Sequence, residues 1–238
     1  MSNVWDDLKD RADDRLETDL LPAIYAAASL ETEEVRDDLR AAGVPFVEMG
    51  CHPTVEELGL AADALIALAR REATAIGAAG GAAGAIGVPP EALASVIHVL
   101  RLAQRLCVLY GHDPEQARGY VVMWKTVAAA WQIELPEEME LRVKDLPSTA
   151  ASQLPASKEM AAWIARKVAT RAVWSVLGKG IRWIPGMATG ISAYAANRRM
   201  KSQGRRMKAL LQDMARDAAP RLLPAPPVEE AEVVEDDQ

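Results

Sequence analysis

Two uncharged stretches built mainly from small residues place the strongest constraint on how this chain can fold. Residues 73–90 (ATAIGAAGGAAGAIGVPP) and 183–197 (WIPGMATGISAYAAN) contain no Asp, Glu, Lys or Arg. Both contain glycines spaced four apart, which on a helix form a flat face that another backbone can approach closely. Each glycine costs about 1 kcal/mol relative to alanine in a solvated helix. Helices of this kind therefore need a close neighbour.

The two glycine faces are expected to pack against each other. For residues 73–90 the alternatives are a buried helix, a glycine-rich turn or a segment that dips into a membrane. Eighteen residues lie near the lower limit for a membrane span, and Ala and Gly are only weakly apolar, so an autonomous transmembrane helix is not expected. The glycines assigned to helix packing are Gly77, Gly80, Gly81, Gly84, Gly186 and Gly190.

Helix signals recur along the rest of the chain, and no sustained strand pattern accompanies them. Thr54-Val55-Glu56-Glu57 is a capping box, and the helix that it begins carries Leu58, Ala61, Leu65 and Leu68 on one side. Residues 91–110 form an amphipathic helix capped by Gly111, and a last helix is predicted over 191–219. The apolar half of the composition is mostly Ala, Leu and Val. The sequence therefore predicts an all-α, multi-helix bundle with glycine-rich apolar helices packed centrally.

Three parts of the chain differ in composition. Residues 1–50 are predicted to be an acidic N-terminal helical extension, and residues 51–219 the main helical domain. Within that domain, residues 134–156 contain three prolines among polar residues and indicate a linker with one helical turn. Residues 220–238 are rich in proline and then in acidic residues. This tail is predicted to be disordered, because it has too little apolar surface to fold.

The net charge of −7 conceals a strong segregation of charge along the chain. Residues 1–72 hold 7 basic and 17 acidic side chains, whereas residues 151–221 hold 14 basic and 3 acidic ones. A field of this kind could steer the basic third toward a phosphate-rich surface, or the acidic part could neutralise the basic part within the molecule. The sequence leaves both interpretations open.

Basic residues near the second uncharged stretch are the candidates for contact with lipid or with a partner, because basic groups beside tryptophan suit a membrane interface. A seam of Met200, Gly204, Met207, Leu211 and Met214 on the last helix is either core or an interfacial face. On the 91–110 helix, His98, Arg101 and Arg105 form a basic stripe that could meet phosphates, although a solvated face is the expectation. The contact candidates are Lys179, Arg182, Trp183, Arg198, Arg199, Arg205 and Arg206.

No pattern in the sequence indicates catalysis. A phosphate-binding loop that ends in Gly-Lys-Ser/Thr is absent. The pairs Cys51-His52 and Cys107 with His112 lack a regular zinc-ligand spacing, and Cys107 falls on the apolar side of its helix, where an inert thiol is expected. We therefore predict a protein without enzymatic activity, cofactor or bound metal.

The order of these features resembles the EcsC family of bacterial helical proteins. The resemblance covers roughly residues 60–210 and rests on the small-residue segment 73–90, the Leu109-Tyr110-Gly111-His112-Asp113-Pro114 run, Trp183-Ile184-Pro185-Gly186 and Asn197-Arg198. The family is named after a protein encoded beside the two components of an ABC transporter, and its biochemical role is unsettled. The resemblance implies association with membranes and no cofactor. The acidic regions at both ends lie outside it.

Together these features predict a non-enzymatic, membrane-associated accessory protein that binds anionic lipid or a membrane-protein partner. The acidic N-terminus lacks the basic and apolar regions of a signal peptide, so the expected location is the cytoplasmic face of the membrane, peripheral or partly inserted. The alternative is a soluble helical module that binds an apolar small molecule or lipid chain between its helices. Nucleic acid is not an expected partner, because the chain is acidic overall and has no groove-reading motif.

Overall fold

The computed structural model describes residues 28–79, 90–139, 155–177 and 188–218, and these ranges form an all-α bundle. The predicted fold class is confirmed. Within the described ranges no β-strand forms, and the one β-type contact is an isolated bridge between Glu48 and Cys51. The helices are α1 (Thr32–Ala41), α2 (Val55–Ala79), α3 (Pro90–Leu109), α4 (Ala117–Trp131), α5 (Pro155–Leu177) and α6 (Ala188–Ala218).

Local signals in the sequence set several helix boundaries. The backbone N–H of Thr54 donates to Glu57 Oε2 at 2.8 Å, and the backbone N–H of Glu57 donates to Thr54 Oγ1 at 3.2 Å. The predicted capping box is therefore present and begins α2. At the end of α3, Gly111 has a φ of +78°, and the N–H of His112 donates to the carbonyl of Cys107 at 2.8 Å. These two features form a Schellman motif, which ends α3 at the predicted glycine.

Helix α3 is the centre of the described bundle, because it packs against each of the other five helices. Leu106, Cys107, Val108 and Leu109 follow one another, so their side chains point in four different directions around its axis, and all four are buried. The prediction of a solvated basic stripe on α3 is wrong for His98. His98 is buried, and its Nδ1 lies 3.9 Å from Glu72 Oε2 on α2. Arg101 and Arg105 are half-buried, so this face of α3 is only partly open to solvent.

The longest helices, α2 and α6, pack side by side in opposite directions. At one end, a Cβ added to Gly59 would lie 2.6 Å from Gln212 Nε2. Further along, Lys208 Nζ and Asp63 Oδ2 form an ion pair at 2.7 Å. Nearer the other end, Arg70 Nε and Nη2 donate to Asn197 Oδ1 at 3.1 and 2.9 Å. Later residues of α2 thus contact earlier residues of α6, so the two helices are antiparallel.

The methionine seam of α6 belongs to the core. Met200, Met207 and Leu211 are buried, and so is Gly204, which faces Ile66 on α2. Of the two interpretations left open by the sequence, core packing is the one that the structure shows. This seam cannot face lipid while α6 is packed in the bundle.

Residues 28–50 share the core with the rest of the described chain. Val35, Leu39 and Phe46 belong to the same cluster of buried residues as α3 and α6. The start of α1 is also tied to the α3–α4 loop, because Thr32 Oγ1 donates to Asp113 Oδ1 at 3.0 Å. This part of the predicted N-terminal extension is therefore built into the bundle.

Other predicted segments are covered only in part. Residues 1–27 and the tail 219–238 lie outside the described residues. Of the predicted linker 134–156, residues 134–139 and 155–156 are described, and they include a 3-10 turn at Glu137–Met139 and the first residues of α5.

The contact between Gly204 and Ile66 predicts that Gly204→Ala destabilises the protein. A Cβ at residue 204 would lie 2.8 and 2.9 Å from the branched Cγ1 and Cγ2 atoms of buried Ile66, and overpacking of this kind typically costs about 1–3 kcal/mol. Denaturant unfolding followed by circular dichroism measures the effect.

Gly59→Ala is the matched control on the same pair of helices. Its new Cβ would meet only the ends of the flexible Gln212 and Lys208 side chains, and alanine favours a helix over glycine by about 1 kcal/mol. We expect this variant to be as stable as the parent or slightly more stable. Equal losses of stability for the two variants would show that the interface is not packed as described.

Candidate functional site

The antiparallel packing of α2 and α6 brings two uncharged helix ends together. The last turns of α2, residues 73–79, and the first turns of α6, residues 188–196, contain no Asp, Glu, Lys, Arg or His. Both runs lie beyond the hydrogen bond between Arg70 and Asn197. The described portions of the two sequence-predicted stretches therefore meet at one end of the bundle.

The first turns of α3 lie at the same end. Arg105 Nη1 of α3 is 3.5 Å from Glu72 Oε1 of α2. Burial raises the pKa of the Tyr110 phenol, just after α3, and the nearby carboxylate of Asp63 on α2 adds to this shift. The two helices are thus antiparallel, and residues 92–97 of α3 extend past Glu72 alongside 73–79. We call residues 73–79, 92–97 and 188–196 the apolar end. Beyond Glu72, Arg101 and Arg198, as far as the described ends of α2, α3 and α6 at this end of the bundle, Glu91 is the one Asp, Glu, Lys or Arg.

Basic residues surround the base of the apolar end. They lie on all three helices at the level where the uncharged turns begin, and Glu72 is the one carboxylate among them. Arg71 and Arg198 are exposed, whereas the other arginines are half-buried. This abrupt change from basic to uncharged sequence recurs on α2, α3 and α6. The set, which we call the basic belt, consists of Arg70, Arg71, Arg101, Arg105, Arg198 and Arg199.

An exposed aromatic side chain lies just beyond the basic belt. Tyr194, on the first half of α6, is 71% exposed. It precedes Arg198 by four residues, so the two side chains share one face of the helix. A tyrosine one turn from an arginine on an exposed helix face is typical of membrane–water interfaces, where the ring lies at headgroup level and the guanidinium contacts phosphate.

The structure separates the predicted contact residues into different groups. Arg198 and Arg199 belong to the basic belt, and Arg205 is exposed further along α6. Arg206 instead donates from Nη1 to the carbonyl of Ala130 at 3.1 Å, at the C-terminal end of α4. Lys179, Arg182 and Trp183 lie outside the described residues.

Arg171 of α5 also donates to carbonyls at the end of α4, as Arg206 does, although it was not among the predicted contact residues. Arg171 Nη1 donates to the carbonyls of Trp131 and Gln132, the latter at 2.8 Å. Two guanidinium groups thus satisfy the last carbonyls of α4 and interact favourably with the negative end of its dipole. Positive charge in the basic third is therefore partly structural.

The packing glycines are only partly described. Gly77 lies in α2 and Gly190 lies in α6, and these helices pack along each other. Gly77 follows Arg70 by seven residues, and Gly190 precedes the partner of Arg70, Asn197, by seven. Gly80, Gly81, Gly84 and Gly186 lie outside the described residues.

Four members of the basic belt were not predicted as contact residues from the sequence. Arg70 and Arg71 directly precede the first uncharged stretch, and this adjacency was the available signal. Arg101 and Arg105 were assigned to a solvated stripe, and nothing in their spacing shows that α3 lies beside α2. These residues lie at the same level as Arg198 only because the three helices pack together.

The cysteines and histidines do not come together as a reactive pair. Cys107 is buried, and burial raises the pKa of its thiol to about 12, against a weaker opposing effect of a hydrogen bond with Thr126. Burial lowers the pKa of His112 to about 4, and the positive charge of Arg118 adds to this shift. Cys51 is exposed. Within the described ranges, no group of three or more His, Cys, Asp or Glu side chains could hold a metal ion.

The different burial of the two cysteines predicts different reactivity. At pH 8 an aromatic disulfide reagent should modify Cys51 within minutes and leave Cys107 unmodified, because only a thiolate reacts and the Cys107 thiol is buried and protonated. Absorbance of the released thiol, with mass spectrometry of the product, measures this. Cys51→Ser should react only after unfolding, and rapid labelling of that folded variant would contradict the described packing of α3.

None of the described helices combines the length and the apolar character needed to cross a membrane. Comparison of the chain with models of protein families, with curated proteins and with solved structures finds no match. The resemblance to the EcsC family therefore remains a prediction from the sequence motifs.

Proposed function

We propose that this protein is a non-enzymatic accessory that attaches to anionic membranes through the apolar end of its bundle. The basic belt contacts lipid phosphates, and the apolar end enters the interfacial region beyond them. The EcsC-like features and a location at the cytoplasmic face are part of the same proposal. A membrane-protein partner would meet the same surface.

The main support for this proposal is that, apart from Glu91 of α3, charged residues stop at the same level on α2, α3 and α6. Apolar patches that are rimmed by polar residues often mark sites of protein or membrane interaction, and a bundle end with few charged residues would suit such an environment. The exposed Arg71 and Arg198 lie next to this surface on two different helices. Each Lys or Arg near an anionic membrane surface contributes about 1 kcal/mol to binding.

The packing of α6 argues for attachment by the end of the bundle and not by its side. The apolar seam that would let α6 lie flat on a membrane is buried against α2 and α4. By contrast, Tyr194 and Arg198 are exposed on the same face of α6. An end-on approach uses these exposed groups and leaves the core intact.

Close contact between the glycine-bearing turns is a second part of the proposal. The register between Arg70 and Asn197, continued for two turns along both helices, brings Gly77 to the level of Gly190. Small residues at both positions would let the two backbones approach closely without charged or bulky side chains between them. Such contact would keep the apolar end compact both on and off the membrane.

Flotation with liposomes tests the membrane proposal. The parent protein should float with vesicles that contain about one third phosphatidylglycerol and should stay at the bottom with neutral vesicles. Reversing both exposed belt charges, with Arg71→Glu and Arg198→Glu, should weaken binding by at least about tenfold, given about 1 kcal/mol for each lost charge. Salt at 1 M should also weaken binding, because the screening length falls to about 3 Å.

The matched control is Arg118→Glu with Arg216→Glu. Both residues are exposed, and they lie at the opposite end of the bundle, at the start of α4 and near the end of α6. The net charge change is the same, so nonspecific electrostatics would affect both double variants equally. Equal losses for the two pairs, or equal binding of the parent to neutral vesicles, would refute attachment through the basic belt.

The glycine contact predicts that Gly190→Leu lowers the melting temperature. A leucine between α2 and α6 would force the two helices apart, at a typical cost of about 1–3 kcal/mol for overpacking. Ala209→Leu is the control, since Ala209 is exposed on the same helix. Thermal unfolding followed by circular dichroism compares them, and a Gly190→Leu variant as stable as the control would rule out the close contact.

A further inference from the structure

An apolar stripe on the outer face of α2 has no partner among the described residues. Leu60 is 73% exposed and Leu68 is 44% exposed, and exposed Ala64 lies between them, one helical turn from each. Exposed Glu56 and Glu57 precede the stripe, and exposed Arg71 of the basic belt follows it. We call Leu60, Ala64 and Leu68 the outer stripe. Along α2 the surface therefore changes from acidic to apolar to basic.

Helix α6 ends beside the acidic end of this stripe. Gln212 is next to Gly59, so the remaining turns of α6, which end at Ala218, run past the first turns of α2. The chain continues from there as residues 219–238. This tail therefore starts within one or two turns of Leu60.

The tail carries the same three kinds of residue in complementary order. Arg221 comes first, then Leu222 and Leu223, and after the prolines the six acidic residues between Glu229 and Asp237. If the tail ran alongside α2, its basic, apolar and acidic residues would lie in turn beside the acidic, apolar and basic residues of α2. This order pairs opposite charges at both ends of an apolar centre.

The lengths of the two runs also agree. The prolines between Leu223 and Glu229 favour a polyproline II conformation, which rises about 3.1 Å per residue and so spans about 19 Å over six residues. The eleven residues from Leu60 to Arg71 span about 16 Å along a helix. A tail with Leu223 at Leu60 would therefore reach Arg71 with its first glutamates.

We propose that residues 219–238 dock along the outer stripe and cover the exposed part of the basic belt. Leu222 and Leu223 pack on the outer stripe, and the acidic run lies against Arg71. In this position the tail competes with anionic lipid for the belt and acts as an autoinhibitory segment. The regulatory part of this inference rests on the proposed function, whereas the docking does not.

A disulfide trap in the intact chain tests docking without any membrane. In a Cys51→Ser background, Ala64→Cys is paired with Ala225→Cys, because two tail residues beyond Leu223 correspond in length to one helical turn beyond Leu60. The control pairs Ala209→Cys with Ala225→Cys, since Ala209 is exposed on α6 at a similar distance from Ala218. The leucines of both surfaces stay in place. Docking predicts that the first pair forms a disulfide at least about tenfold faster, and equal rates overturn it.

Flotation tests the regulatory part. Glu229→Gln, Glu230→Gln and Glu232→Gln together should increase binding to phosphatidylglycerol vesicles severalfold at low salt. The control triple, Glu34→Gln, Asp37→Asn and Asp38→Asn on the exposed face of α1, changes the net charge equally and should have a smaller effect. Equal effects of the two triples overturn autoinhibition.

The two experiments fail in different ways. If neither the parent nor any variant floats, the membrane proposal and the autoinhibition fall together, while the disulfide rates still decide whether the tail docks. If the trap forms at equal rates but the parent floats, the membrane function stands and the docked tail does not. Rapid trapping at Ala209 instead of Ala64 would place the tail on α6 and overturn docking on the outer stripe.

Discussion

Close packing of α2 against α6 is the contact on which the rest of this bundle depends. These helices come from opposite halves of the chain, and Gly204 facing Ile66 allows them to approach where any Cβ would collide. Their antiparallel direction decides which helix ends meet. Had they packed in parallel, the uncharged turns of α2 and α6 would lie at opposite ends, and no continuous apolar end would form. The proposed site is therefore a consequence of one helix–helix contact.

The structure shows one of the two uses of charge that the sequence left open, which is neutralisation within the molecule. Lys208 pairs with Asp63 across α2 and α6, which neutralises part of the basic third with part of the acidic one. Arg171 and Arg206 are used for the carbonyls at the end of α4. Exposed Arg198, in contrast, points outward beside the apolar end. A count of charges in a segment cannot separate these uses, because they depend on which helix each side chain meets.

Features that depend on neighbours in sequence were predictable, whereas features that depend on neighbours in space were not. The capping box at Thr54 and the glycine that ends α3 involve residues within a few positions of each other, and both are present as predicted. His98 was assigned to solvent because its own helix offered a plausible polar face, yet the packing of α3 against its neighbours buries it. Leu68 was grouped on one side of its helix with Leu58 and Ala61, but these two residues are buried whereas Leu68 is 44% exposed. Periodicity identifies an apolar face but does not fix its width or its centre.

The exposure of Leu60 and Leu68 has a physical connection with the basic belt. Both leucines lie on the α2 face that continues into Arg71, so whatever covers the outer stripe also lies beside an exposed guanidinium. An apolar segment alone would leave that charge hydrated, and an acidic segment alone would gain little from an isolated surface ion pair. A segment with apolar and acidic residues in the correct order buries apolar area against the leucines. The same contact holds its carboxylates near the arginines at a high local concentration. Tethering beside α2 thus allows individually weak contacts to compete with a membrane surface.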